Sequence, residues 1–130
     1  MQKALFRNLV ILFILFISAC GEKLDTADLD LAAWQQDKYG CNGLRLEQVE
    51  ELTRIRENFK GVTNKGIIAA LGRPDEIELV SQEQKIFIYF LEPSPEKCED
   101  AAANEFPLRF FLRMNSLNIT NEAVIDRISP

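Results

Sequence analysis

Gly61-Val62-Thr63-Asn64-Lys65-Gly66-Ile67-Ile68-Ala69-Ala70-Leu71-Gly72-Arg73-Pro74-Asp75 is the stretch in which the chain changes from helical to extended periodicity. Thr63 stands where its side-chain oxygen caps a short helix by accepting a backbone N–H two or three residues on. Gly72 supplies a left-handed residue to end that helix, and Pro74 blocks its continuation. Ile67, Ala70 and Leu71 are expected to face an earlier helix.

That earlier helix lies between Leu44 and Phe59. Leu46, Val49, Leu52, Ile55 and Phe59 recur at spacings of three and four, with Glu47, Glu50, Glu51, Arg54, Arg56 and Glu57 between them. One apolar stripe on an otherwise charged helix has a buried side and a solvated side. Beyond Pro74 the period becomes two, in Ile77-Glu78-Leu79-Val80 and again in Lys85 to Leu91, with Ser81-Gln82-Glu83-Gln84 as the connection. That pattern predicts a hairpin. Residues 92–105 hold Pro93, Pro95, Cys98 and three alanines and read as a long loop. In a third strand Leu108, Phe110, Leu112 and Met114 alternate with Arg109, Phe111 and Arg113, and strand character is expected to run to Ile119. A turn around Asn121 and a short piece from Val124 to Ile128 finish the chain. The expectation is an α+β domain over residues 44–130, with two N-terminal helices on one face of a three-stranded antiparallel sheet.

The other face of that sheet is expected to stay open. Burying two arginines without partners costs far more than exposing one phenylalanine, so Arg109, Phe111 and Arg113 are assigned to the open face. An exposed aromatic between two cations suits partner binding, and these three residues are the partner-binding candidates. The alternative is that the segment around Trp34 covers Phe111.

The N-terminus has three parts: Lys3 and Arg7, an apolar run from Leu9 to Ile17, and Ser18-Ala19 before Cys20. This is the layout of a secretory signal. The run is about ten residues long, whereas a membrane-spanning helix needs about twenty. Ile17-Ser18-Ala19-Cys20 resembles the lipobox of bacterial lipoproteins, which implies cleavage after residue 19 and lipid attachment at Cys20. An ordinary signal peptide ending in Ala-Cys is the alternative. Residues 1–19 are thus read as a signal peptide and 20–43 as a lipidated tether and leader, in which Leu29, Ala32, Ala33 and Trp34 suit a short helix ending at Gly40. Cleavage removes Lys3 and Arg7 from 15 basic residues and none of the 20 acidic ones, leaving a net charge of −7. Nucleic acid is therefore a poor partner, and attachment to a membrane must rest on acyl chains.

In an oxidising compartment Cys41 and Cys98 are most simply a disulfide, and closing so long a loop contributes roughly 4 kcal/mol in the chain-entropy model. Two free thiols or a reactive pair are the alternatives. With no histidine in the chain, the commonest catalytic base and metal ligand is missing, and no acidic motif replaces it. No enzyme activity, cofactor or metal is expected.

Gly61-Val62-Thr63, the short helix, and Leu71-Gly72-Arg73-Pro74-Asp75 leading to Ile88-Tyr89-Phe90 together resemble the SmpA/OmlA (BamE-like) family of small outer-membrane lipoproteins. A similar unit occurs in β-lactamase-inhibitor-like proteins. The resemblance covers roughly residues 45–128 and implies a two-helix, three-strand fold; no binding residue transfers with it. The leader is similar to that of uncharacterised lipoproteins of Bacteroidota, and Asp25-Thr26-Ala27 resembles an O-glycosylation acceptor of that phylum. The implied role is a non-catalytic protein-binding module, anchored in the outer membrane facing the periplasm and holding another envelope protein. An enzyme inhibitor and a purely structural lipoprotein are the alternatives.

Overall fold

The computed structural model describes residues 2–4, 24–99, 101 and 104–130. The lipobox and Cys20 lie outside the described residues. Helix α1, Leu31–Gln36, is capped by Asp30, whose carboxylate accepts from the Ala33 N–H at 3.0 Å. A 3-10 turn over Lys38–Gly40 follows. The amphipathic segment then forms a 3-10 turn over Leu46–Gln48, helix α2 over Val49–Ile55, and a second 3-10 turn over Arg56–Phe59. Helix α3, Asn64–Leu71, starts at Thr63, whose hydroxyl accepts from Gly66 N–H at 3.2 Å, and stops at Gly72 with φ +78°. Both ends are those the capping residues predict.

Four strands form one antiparallel sheet in the order β1-β2-β3-β4: β1 Glu76–Leu79, β2 Lys85–Phe90, β3 Arg109–Met114 and β4 Thr120–Asp126. The expected third strand ends earlier than residue 119. Asn115 turns the chain by accepting from both Leu117 N–H and Ile119 N–H, and Asn118 takes φ +59°. The short last piece becomes a full strand through Asn121, where the β3–β4 register shifts between Arg113 and Met114. The sheet is thus four-stranded, and the helical layer has three α-helices instead of two.

One face of the sheet carries the main core. Phe87, Tyr89, Phe110, Leu112, Met114 and Ala123 pack against Leu52, Ile55, Phe59, Val62, Ile67 and Leu71. Phe59 meets Phe110 edge to face at 5.1 Å between ring centres. Leu46, the first residue of the predicted stripe, is exposed instead.

Residues 24–43 are not a tether standing in front of this domain. Leu29 and Trp34 belong to the same core, and Leu24 packs against it. Trp34 is fully buried, with its ring 5.9 Å from that of Tyr89. Truncating a buried aromatic to alanine typically costs about 3 to 5 kcal/mol, so the packing of the domain begins well before residue 44. Gln48 also accepts from Asp30 N–H at 2.7 Å, tying the leader to the 3-10 turn beneath it.

Candidate functional site

The strand register lines up the second face of the sheet in rows. Glu78, Ile86, Arg113 and Glu122 lie across one row, Glu76, Ile88, Phe111 and Val124 across the next, and Phe90, Arg109 and Asp126 across the third. Arg109, Phe111 and Arg113 therefore share the face opposite Phe110 and Leu112, as their alternation requires.

Phe111 is not the exposed aromatic that the alternation suggested. It is fully buried in a second cluster with Ile86, Ile88 and Phe90. The two arginines are also engaged. The Arg109 guanidinium lies 5.0 Å from the centre of the Phe111 ring and 5.8 Å from that of Phe90, and donates to the Arg127 carbonyl at 2.8 Å. Arg113 donates to Glu122 at 3.0 Å and to the Pro130 carbonyl at 2.8 Å, while Ser129 Oγ donates to Glu78 at 3.1 Å. Residues 127–130 thus run back over this face toward β1. Counting arginines as whole charges missed the point that their stems cover apolar surface while the head groups find partners at the edge. Trp34 lies on the opposite face and is not the cover; the leader contributes Tyr39, edge-on to Phe90 at 5.7 Å.

Beside Phe90 and Arg109 the face opens into a cleft of about 520 Å³, bounded by Glu76, Phe90, Pro95, Lys97, Pro107 and Arg109. Its rim is fixed by two sets of contacts. Lys97 bridges to Glu76 at 3.3 Å and sits over the Tyr39 ring, and the hydrogen bond it donates to Glu76 raises the lysine pKa above its ordinary value. On the other side, Glu92 accepts two hydrogen bonds from Arg127, at 2.6 and 2.7 Å, and further ones from Asn104 and the Leu108 N–H. The hydrogen bonds from the Arg127 guanidinium, more than those from Leu108 and Asn104, hold the Glu92 carboxyl below its ordinary value. Arg109 Nε is buried without a hydrogen-bond partner among the described residues.

Behind the cleft a buried knot holds the leader to the sheet. Arg45 donates to the Asp75 carboxylate at 2.6 Å, to the Trp34 carbonyl at 3.0 Å and to the Phe90 carbonyl at 3.2 Å. Asp75 also accepts the N–H of Tyr39 at 3.1 Å and of Phe90 at 2.8 Å. Asp37, itself buried, accepts the N–H groups of Asn42 and Arg45. The guanidinium lies over Trp34 at 5.0 Å. Tyr89 donates its hydroxyl to the Gly72 carbonyl at 2.8 Å, and burial raises its pKa. Gly40, at φ +63°, lets the leader backbone pass where a Cβ would stand 3.0 Å from the carbonyl groups of Phe90 and Leu91. Next to it, Cys41 and Cys98 are joined, with sulfurs at 2.06 Å and Cα atoms 5.4 Å apart.

Sequence reasoning identified the cysteine pair but not the knot. Nothing in the sequence pattern gave Asp37, Arg45 or Asp75 a role. The only signal was an acid placed directly after the helix-stopping proline. Thr26 sits half-buried in a turn at the start of the described domain, before Ala27 at φ +46°. Among the described residues no cluster of three acidic, cysteine or histidine side chains could hold a metal ion, and no helix is long and apolar enough to cross a membrane.

No family model, no curated protein and no solved structure matches the chain. In the structure Thr63 and Gly72 have backbone roles while Asp75 joins the buried knot.

Proposed function

We propose that this chain is a bacterial envelope lipoprotein, anchored through lipid on Cys20 in the outer membrane and facing the periplasm, where it binds another envelope protein without catalysing a reaction. A relative of the SmpA/OmlA family in this position would serve outer-membrane protein assembly or envelope integrity. The observation that carries the reading is the approach of Cys41 to Cys98, 5.4 Å between Cα atoms. Such pairs persist in oxidising compartments and are rare in reducing ones. It agrees with the signal layout that ends at Ala19-Cys20. The buried Arg45–Asp75 pair, closed off by backbone groups, fits a role in holding the shape of the domain.

The test begins at Cys20. Cys20→Ser is expected to accumulate as a precursor that retains its signal segment and incorporates no labelled fatty acid, and normal processing and labelling of that variant would refute the anchor. Affinity capture from detergent-solubilised membranes then tests the role. Recovery of barrel-assembly subunits supports the reading; recovery of one soluble enzyme points to inhibition, and recovery of nothing points to a structural lipoprotein.

A further inference from the structure

We infer that the outer edge of β1 is a docking site for an extended segment of another protein in which basic and apolar residues alternate. The inference rests on the protein-binding reading above and adds where the partner docks and what it carries. A sheet has two edges, and here they are unequal. At β4 the Thr63–Ile119 bridge lies alongside, Gly61 N–H donates to Thr120 O at 2.8 Å, and Thr120 N–H donates to Val62 O at 2.9 Å. β1 is the terminal strand at the other side.

The ladder fixes which backbone groups of β1 face outward. Val80 N–H donates to Gln84 O at 3.1 Å, in register with Glu76 opposite Ile88 and Glu78 opposite Ile86. In an antiparallel pair the inward-bonding residues alternate with outward-facing ones. The N–H and C=O groups of Ile77 and Leu79 therefore point to the open edge, in phase to receive another strand.

The side chains decide what kind of strand. Ile77 is 55%, Leu79 76% and Val80 45% exposed, three of the seven large apolar residues most exposed among those described. Ile77 and Leu79 lie on the helix-bearing side of the sheet, beyond the reach of the helices. Glu76 and Glu78 lie on the other side, where Lys97 bridges to Glu76 and the Ser129 hydroxyl meets Glu78. Native edges commonly carry charge to prevent pairing, and both charged residues of β1 itself are acidic.

That sign rejects a second copy of this chain. Antiparallel self-pairing centred on Ile77 or on Glu78 sets glutamate opposite glutamate, which is destabilising, and pairing centred on Leu79 leaves only Leu79 of the strand opposite the β1 of the other copy. A segment with lysine or arginine at every second position instead sets its cations opposite Glu76 and Glu78, and its apolar residues beside Ile77 and Leu79. Main-chain bonds hold such a strand, and the alternate side chains select it. The net charge of −5 of the whole chain draws basic segments in.

The test uses the full chain in detergent micelles and a fluorescein-labelled peptide, Lys-Val-Lys-Val-Lys-Val, read by anisotropy. The alternating peptide is expected to bind at least about tenfold more tightly than the shuffled Lys-Lys-Lys-Val-Val-Val. Ile77→Pro removes an outward N–H and leaves the bonds to β2 intact; it is expected to weaken binding to a similar degree with an unchanged melting temperature. Glu78→Lys is expected to shift preference toward Glu-Val-Glu-Val-Glu-Val, and this arm decides alone if Ile77→Pro does not fold. Equal binding of the alternating and shuffled peptides, or no change of preference in Glu78→Lys, overturns the proposal. So does a dimer, seen by sedimentation, that Ile77→Pro dissociates, because the occupant is then a second copy. Absence of peptide binding while the membrane partner is still captured rejects the edge and leaves the protein-binding reading standing.

Discussion

Replacing Arg45 by methionine tests whether the leader and the sheet are held as one unit. The arginine is 2% exposed and the Asp75 carboxylate 1%. Methionine fills most of the volume but withdraws donors from Asp75, from the Trp34 carbonyl and from the Phe90 carbonyl. Removing one partner of a buried ion pair typically costs about 3 to 5 kcal/mol, because the other charge is left uncompensated. Asp75 keeps two backbone donors, from Tyr39 and Phe90, which sets the expectation at the lower end, about 3 kcal/mol. For a domain of this size that lowers the melting temperature by about 12 °C or more. Urea denaturation of Arg45→Met, Asp75→Asn and the double variant forms a double-mutant cycle. The double variant is expected to be more stable than the two single losses predict when added, since contacting residues couple by about 0.5 to 3 kcal/mol. A loss in Arg45→Met within about 0.5 kcal/mol, the range of ordinary surface changes, would refute the reasoning, as would strict additivity.

Removing the bridge by Cys41→Ser with Cys98→Ser is expected to lower stability by about 4 kcal/mol in the chain-entropy model, given the separation of 57 residues; equal urea midpoints for the variant and the oxidised chain would contradict the pairing. Glu92 gives a pH dependence. Its carboxyl is held below the ordinary value of 4.5, first by the hydrogen bond from Arg127, so its contribution is complete above that pH and is lost as pH falls through the lower folded-state value. Glu92→Gln is accordingly expected to be less stable than the native chain at pH 7, with the difference in melting temperature shrinking below pH 4.5. A difference that stays constant from pH 7 to about pH 3 would show that Glu92 does not titrate in this way.

Features set by local chemistry were legible in the sequence. Thr63 and Gly72 bound α3 because capping and a positive φ are properties of single residues. The two faces of β3 followed from alternation alone, whereas β2 is apolar on both sides and shows no such pattern. What could not be read were the places where a polar group finds a distant partner. Arg45 and Asp75 are 30 residues apart, and neither carries any local mark of burial. The fate of Phe111 turned on the same blind spot, since the partners of Arg109 and Arg113 are Glu122 on β4 and the backbone of residues 127–130. β4 was misplaced for a different reason. Asn115 and Asn118 form the turn by side-chain bonding and a positive φ, whereas Asn121 is simply a strand residue at the register shift. The short leader helix was legible from its apolar positions, whereas the depth at which Trp34 sits was not. Its burial depends on a niche that the sheet and Arg45 create.

The knot and the bridge also order events during synthesis. Chains emerge from the ribosome N-terminus first, and the hairpin and the α2–α3 pair can close soon after they appear. Trp34, Arg45 and Cys41 meet their distant mates only when Asp75, Tyr89, Phe90 and Cys98 have followed. Through that interval the indole is uncovered and the thiol of Cys41 is unmatched.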